Sequence, residues 1–263
     1  MQRESTTVAP ALKALLENFI DYAGIFPPAA LTLDVALDNY SQYLRGNYSW
    51  MLNRLVVSAN ELPRVPEAFD GCITLLSEVD DNRAGAIESK GIIAATHPVY
   101  CEVALDEQAQ LDAALDAIKQ ASCFAKFRAG GVKPEAIPTP ELVSKFILAC
   151  AHRKLPFKAT AGLHHPVRSQ YALTYEANAP KAVMHGFLNV LLASAFAWHG
   201  ERQIEQIIAE TDRAAFVFDK RAHWKDKSLS CDQIRGARLN FMHSVGSCSF
   251  VEPVADLQTM GLI

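Results

Sequence analysis

The feature that most restricts this chain is an alternation of short apolar runs with helical patterns, sustained from one end to the other. Strand-like runs fall at residues 19–23, 54–58, 72–78, 99–104, 123–128, 156–161, 214–218 and 239–245, eight in all. Helical patterns fill most of the gaps. Leu33, Ala36, Leu37, Tyr40 and Leu44 form the stripe of a helix over 32–45 that Thr32 can cap. Leu111, Ala114, Leu115 and Ile118 make another over 107–120, and Val143, Phe146, Ile147 and Cys150 a third over 140–152. Thr139-Pro140-Glu141 is a strong helix start, and Ser230 with Gln233 fits a capping box. Further helices are expected over 10–18 and from near Pro180 to Trp198. Eight strands alternating with helices over 263 residues is the arithmetic of an α/β fold of the (β/α)8, TIM-like barrel type. A doubly wound open sheet is the alternative, because the interval between the second and third runs is too short and Pro-rich for a crossover helix.

No repeat and no Gly/Ser- or Pro-rich linker divides the chain, so one domain over 1–263 is expected. The 25 basic and 29 acidic residues leave a formal charge of −4. With no overall basic field, neither nucleic acid nor a membrane surface is an expected partner. The most apolar run, Phe187 to Trp198, is well short of the roughly twenty residues that cross a bilayer. It is apolar on nearly every side, which predicts a helix pressed between barrel and neighbours or against a second subunit, hence a homo-oligomer. The first ten residues lack an export signal's apolar segment, and the six cysteines contain no C-x-x-C pair. A cytoplasmic protein with free thiols is expected.

In such a barrel, ligands bind at the C-terminal ends of the strands. Five ends are polar here: Asp21 to Pro28, Tyr100 to Glu102, Lys126 to Gly131, Lys158 to His165, and His243 to Phe250. Side chains alternate along a strand, so Lys126 and Arg128 share one face, and Lys158 and Thr160 share another. Three cations on two strands call either for an anionic small-molecule substrate or for an ion-pair layer with Glu78 and Glu102. Lys158, an amine beside other cations in a partly apolar barrel, is expected to have a lowered pKa and to serve as Schiff-base former or electrophile. Glu102 with His164 or His165 would be the acid/base pair, and His185, read as lying in the first turn of the long helix, is a further candidate.

Gly246-Ser247-Cys248-Ser249 offers close-approach backbone for a phosphate, with Asp21, Thr160 and His243 nearby in the substrate site. Cys248 as a nucleophile needs a base, and His243 is its only local candidate. Residues 166–179 make a long loop on the functional side, a candidate lid in which Arg168 could carry a substrate carboxylate. No H-x-H or H-x-x-x-H pair is present, so no metal is expected. A cross-strand set of Glu102, His164 or His165, His243 and Cys248 would serve the alternative of a metal-dependent hydrolase.

DYAGIFPPA from Asp21, KFRAGG from Lys126, FKATAGLHHPVR from Phe157 and GSCSFVEP from Gly246 together resemble a bacterial family of hypothetical proteins along nearly the whole chain. That resemblance implies a single-domain bacterial protein and carries no catalytic role. Lys158-Ala-Thr-Ala-Gly162 is similar to the Lys-Thr-Ser-Thr-Gly stretch of deoxyribose-phosphate aldolases, departing where that pattern has serine and threonine. The likeness implies a Schiff-base role for Lys158. The cation-rich barrel with Glu102 is also similar to phosphoribosyltransferases that make pyridine nucleotides, without their fuller motifs. The leading expectation is an enzyme of lyase or aldolase type acting on a small anionic, carbonyl-bearing metabolite, with no cofactor invoked. A barrel that only binds a ligand is the third alternative.

Overall fold

Strands that bury both faces pair inside a shell of other structure, and the burial of Val56, Val57, Ile73, Leu75, Ile87, Phe127 and Ala159 has that character. The structure is a computed structural model and describes residues 8–106 and 108–263. Its chain order begins α1 (Pro10–Leu16), β1 (Ile20–Tyr22), α2 (Leu33–Arg45), β2 (Leu52–Ser58), β3 (Ile73–Leu76), β4 (Ala84–Ser89) and β5 (Val99–Glu102). It continues α3 (Gln108–Gln120), β6 (Phe124–Arg128), α4 (Pro140–Arg153), β7 (Phe157–Thr160), β8 (Ser169–Ala172), β9 (Lys181–Met184) and α5 (Phe187–Trp198). Last come α6 (Glu205–Ala209), β10 (Phe216–Phe218), β11 (Arg221–Trp224), β12 (Lys227–Ser230), α7 (Cys231–Asn240), β13 (Met242–Ser247) and α8 (Val251–Thr259). Strands β1 to β7 and then β13 pair in parallel and close into an eight-stranded barrel, the TIM-like α/β fold.

One barrel strand differs from the sequence reading. The run at 214–218 is not in the barrel; β10 pairs antiparallel with β11, and β11 with β12, in a separate sheet. The barrel takes β4 instead. Its sequence, Ala84-Gly-Ala-Ile-Glu-Ser89, has little apolar bulk, so periodicity misses it, yet the small residues are required. A Cβ on Gly85 would lie 2.0 Å from the Gly71 carbonyl oxygen. Only residues 77–83 join β3 to β4, too few for the helix that an alternating pattern demands.

The interval between β2 and β3 explains why the barrel closes without a crossover helix there. Single 3-10 turns at Leu62–Arg64 and Glu67–Phe69 stand in its place. Arg83 fastens them: its guanidinium donates to the Leu62 carbonyl at 3.0 Å, the Val65 carbonyl at 2.6 Å and Asp70 at 2.7 Å. Leu62 and Val65 are thereby buried against the barrel.

Local signals hold at several helix ends. The Thr139 hydroxyl accepts from the Leu142 N–H, and the Ser230–Gln233 box is complete. Thr32 takes the N-cap position of α2 without a side-chain bond, so its expected cap is absent. Of the expected 107–120 helix, Glu107 lies outside the described residues. The long apolar helix begins later than expected, at Phe187 with Gly186 as N-cap, because residues 181–184 form β9 and pair antiparallel with β8. The segment 166–179, expected as a lid, supplies β8 and the turn of this hairpin. From Phe187 to Ala197, α5 is wholly buried, packed on β13 and against α4, α6 and α7. Its apolar surface is therefore covered within one chain, which removes the observation behind the expected homo-oligomer. No helix among the described residues is long and apolar enough to cross a membrane.

The loops after β6 and β7 meet backbone to backbone, which fixes the rim of the barrel mouth. Gly162 has φ +73°, and a Cβ there would sit 2.8 Å from the Gly130 Cα. Gly162→Ala is expected to lower stability by about 1–3 kcal/mol, read as a fall in the denaturant midpoint at constant m-value.

Candidate active site

Inside the barrel, strand pairing sets charged residues side by side. Glu102 on β5 is in register with Lys126 on β6, and Lys126 with Lys158 on β7. The result is an alternating chain of charges. The Lys158 ammonium, with no solvent exposure, contacts Asp21 of β1 and lies 2.7 Å from Glu88 of β4. Lys126 lies 3.1 Å from the other Glu88 oxygen and 2.9 Å from Glu102. Asp21 also accepts from Asn53 Nδ2 at 2.6 Å, the Arg54 N–H at 3.2 Å and Ser244 Oγ at 2.8 Å.

The protonation states follow from this packing. Burial works to raise the Asp21 and Glu88 carboxyls, but the Lys158 ammonium, joined at Glu88 by Lys126, holds both below their ordinary values. Burial works to lower Lys158, and its two carboxylates override it, leaving the amine raised. This corrects the expected lowering: the sequence shows neighbouring cations, while the fold places anions on the amine.

Above the charged layer lies a cavity of about 720 Å³, at the C-terminal ends of the barrel strands. Lys126, Arg128 and Glu102 reach its wall, with Thr160, Gly246, His164 and Cys248. Glu88 forms part of its floor, whereas Lys158 and Asp21 lie beneath and do not line it. Apolar surface comes from Phe26, Pro28, Leu76 and Val132, and the β8–β9 hairpin adds Leu173 and Met184.

Further expected site residues also stand elsewhere. Arg168 does not line the cavity; its backbone N–H donates to Asn189 Oδ1 at 2.9 Å, and its guanidinium lies 3.5 Å from His185 Nδ1. His185 precedes α5, is buried, and donates from Nε2 to the Pro138 carbonyl at 2.7 Å. Burial, opposed by that bond, lowers it to about 4. His243 begins β13 rather than ending it, because α7 runs on to Asn240. It lies 2.7 Å from the Tyr100 hydroxyl, and burial together with the Arg238 charge lowers it to about 4.

The adjacent histidines part company, as extended chain requires. His165 turns from the main cavity, meets Asp256 at 2.7 Å and stacks on Tyr171 at 3.6 Å. His164 faces the cavity, with Nδ1 3.2 Å from Ser247 Oγ and 3.5 Å from Glu252. Burial disfavours its charge, but bonds to Cys248 and Glu252 prevail and raise it to about 9. Ser247 is buried beside it and donates to the Ser249 carbonyl at 2.7 Å. Among the described residues, no three His, Cys, Asp or Glu side chains converge as metal ligands would.

Sequence reading missed Glu88, Lys90 and Glu252. Glu88 was hidden with its strand, although an acid after Ala-Gly-Ala-Ile is the signal that could have shown it. Lys90 lines the cavity just beyond β4, and Glu252 sits in the first turn of α8. No family model matches the chain, and no curated protein matches it in sequence.

Removing the buried cation leaves Asp21 without its ion-pair partner and Glu88 with Lys126 alone, so Lys158→Met is expected to cost about 3–5 kcal/mol in chemical denaturation. Adding Asp21→Asn should recover part of that loss. His164 gives a pH signature: its stabilisation is complete below its ordinary value of 6.5 and is lost as pH rises through about 9. The melting temperature of His164→Gln should therefore fall less steeply over that interval than that of the unaltered protein.

Proposed function

We propose that this barrel is an enzyme for a small anionic, carbonyl-bearing metabolite, carrying out lyase or aldolase-type carbon chemistry in the cavity at its C-terminal mouth. The observation that carries the reading is Lys126: its amine reaches the cavity wall between Glu88 and Glu102, with Arg128 on the same strand face. Such a cavity offers an anion two cations in a confined, partly apolar setting, where charge-assisted hydrogen bonds are strong. In this reading Arg128 takes the carboxylate or phosphate, and Lys126 polarises the carbonyl and stabilises the enolate that carbon–carbon cleavage leaves. Glu102, one-third exposed and 2.9 Å from the Lys126 amine, exchanges the substrate proton. Thr160, in register with Arg128 on the neighbouring strand, adds its side chain to the cavity wall. The amine role assigned to Lys158 on sequence passes to Lys126, since Lys158 is sealed beneath the cavity. Lys158 supports the site by balancing Glu88, which would otherwise hold Lys126 more tightly.

Sulfate, phosphate or malonate should raise the melting temperature in a concentration-dependent way. Arg128→Ala should weaken that binding by about 1.5–3 kcal/mol, the worth of a lost charge-assisted hydrogen bond. Borohydride added with small keto acids and aldehydes tests the amine directly: a trapped adduct on Lys126 makes it a Schiff-base former, and turnover without an adduct makes it electrostatic. Absence of any anion-dependent stabilisation would sink the reading.

A further inference from the structure

The cavity wall that continues from Lys126 and Arg128 onto the next two barrel strands carries a nucleophilic side chain with a base beside it. Cys248 is 5 % exposed, yet it lines the cavity. Its sulfur lies 3.8 Å from His164 Nδ1 and 3.9 Å from Nε2, nearly equidistant from the two ring nitrogens. His164 follows β7 and Cys248 follows β13, neighbouring strands of the barrel, so the pairing across 84 positions is a product of closure. Glu252 from α8 lies 3.5 Å from the same Nδ1, and the Tyr175 hydroxyl, at the turn of the β8–β9 hairpin, donates to Glu252 at 2.8 Å. Tyr175 also lies 3.7 Å from the sulfur. The cluster thus spans the barrel rim, the hairpin and the last helix, around a thiol that opens onto the cavity.

Of the other cysteines, Cys101, Cys123 and Cys150 are buried away from the cavity, and none of them has a histidine contact. Cys72 is exposed and Cys231 half-buried, its thiol donating to the Lys220 carbonyl at 3.3 Å, and both lie outside the cavity lining. Only Cys248, among the described cysteines, combines a histidine with cavity access. The sequence offered His243 as its base, but that residue sits deep in the barrel against Tyr100.

We propose that Cys248 and His164 form a nucleophilic pair that adds reversibly to the carbonyl carbon of a small anionic aldehyde held in this cavity. With the pair's shared proton on His164, the sulfur attacks the carbonyl carbon and the C=O π bond breaks. The alkoxide oxygen then takes the imidazole proton. The product is a thiohemiacetal, with no change in oxidation state and no further reactant. The aldehyde portion rests on the anion-site reading above, while the reactivity of the thiol does not.

Two measurements separate these. Neutral iodoacetamide at pH 7, followed by peptide mass spectrometry, reports each thiol within one sample. Cys248 is expected to be alkylated about tenfold faster than the exposed Cys72, an inversion of their accessibility that activation by His164 produces. A rate for Cys248 at or below that of Cys72 overturns the pair. His164→Gln should remove the inversion while circular dichroism stays unchanged; a folded variant that keeps the fast rate also overturns it. Glyoxylate at millimolar concentration should then slow Cys248 alkylation about tenfold, whereas acetate, an anion without an aldehyde, should not. Equal protection by both, or by neither, overturns the aldehyde addition even if the thiol is fast. Failure of the anion reading shows separately, as a missing thermal shift with sulfate in a protein whose Cys248 still outpaces Cys72.

Discussion

An ammonium with no access to water governs the centre of this molecule. Isolated, Lys158 would be neutral or would not be tolerated, since transferring a charge into a low-dielectric interior costs several kcal/mol. Two strands far apart in sequence solve the problem by supplying Asp21 and Glu88. Asp21 is held further by Asn53, Ser244 and a backbone amide, and Glu88 by Lys126 at its other oxygen. The barrel must close for these partners to meet. The ion pairs therefore depend on the fold, and the fold cannot lose one charge without exposing the rest. Replacing such a network whole by hydrophobic residues is often neutral or stabilising, whereas removing one partner leaves a buried charge exposed to its full desolvation cost.

The same chain of charges separates support from function. Its lower members are sealed, and its upper members, Lys126 and Glu102, emerge at the cavity wall with their geometry already set from below. A preorganised cation of this kind needs no reorganisation when an anion arrives. The other wall is built differently. There His164 is fixed by Ser247, Cys248 and Glu252, so one cavity has an ionic side and a nucleophilic side, joined by Thr160 and Gly246.

The shell around the barrel is uneven for a reason visible in the connections. From β2 to β5 the chain returns through 3-10 turns and loops, and Arg83 performs by hydrogen bonding what a packed helix does elsewhere. From β5 onward full helices take over, and Phe127, Phe146, Phe157 and Phe241 form a run of ring contacts at 4.7, 5.1 and 4.9 Å that ties β6, α4, β7 and the end of α7 together. The cavity lies across both halves, with a short, loop-built side and a side built on rigid elements.

Local information in the sequence determined most of the secondary structure and the class of fold. Hydrophobic period separates strand from helix, Thr139 and Ser230 start helices by bonds within a single turn, and strand alternation places Lys126 with Arg128 and Lys158 with Thr160. These are short-range constraints, and one chain segment suffices to express each. Depth and partnership are different quantities. Whether Lys158 or Lys126 reaches the cavity depends on the tilt and register of eight strands, and whether a lysine is raised or lowered depends on which distant carboxylates that register delivers. Glu88 was invisible because its strand is built of small residues, and at Gly85 the smallness is demanded by Gly71 and Arg54, which only the tertiary structure brings near. The meeting of His164 with Cys248 and Glu252, and the removal of His243 from the site to Tyr100, were likewise decided by barrel closure, because no local pattern encodes contacts made across 84 or 143 positions.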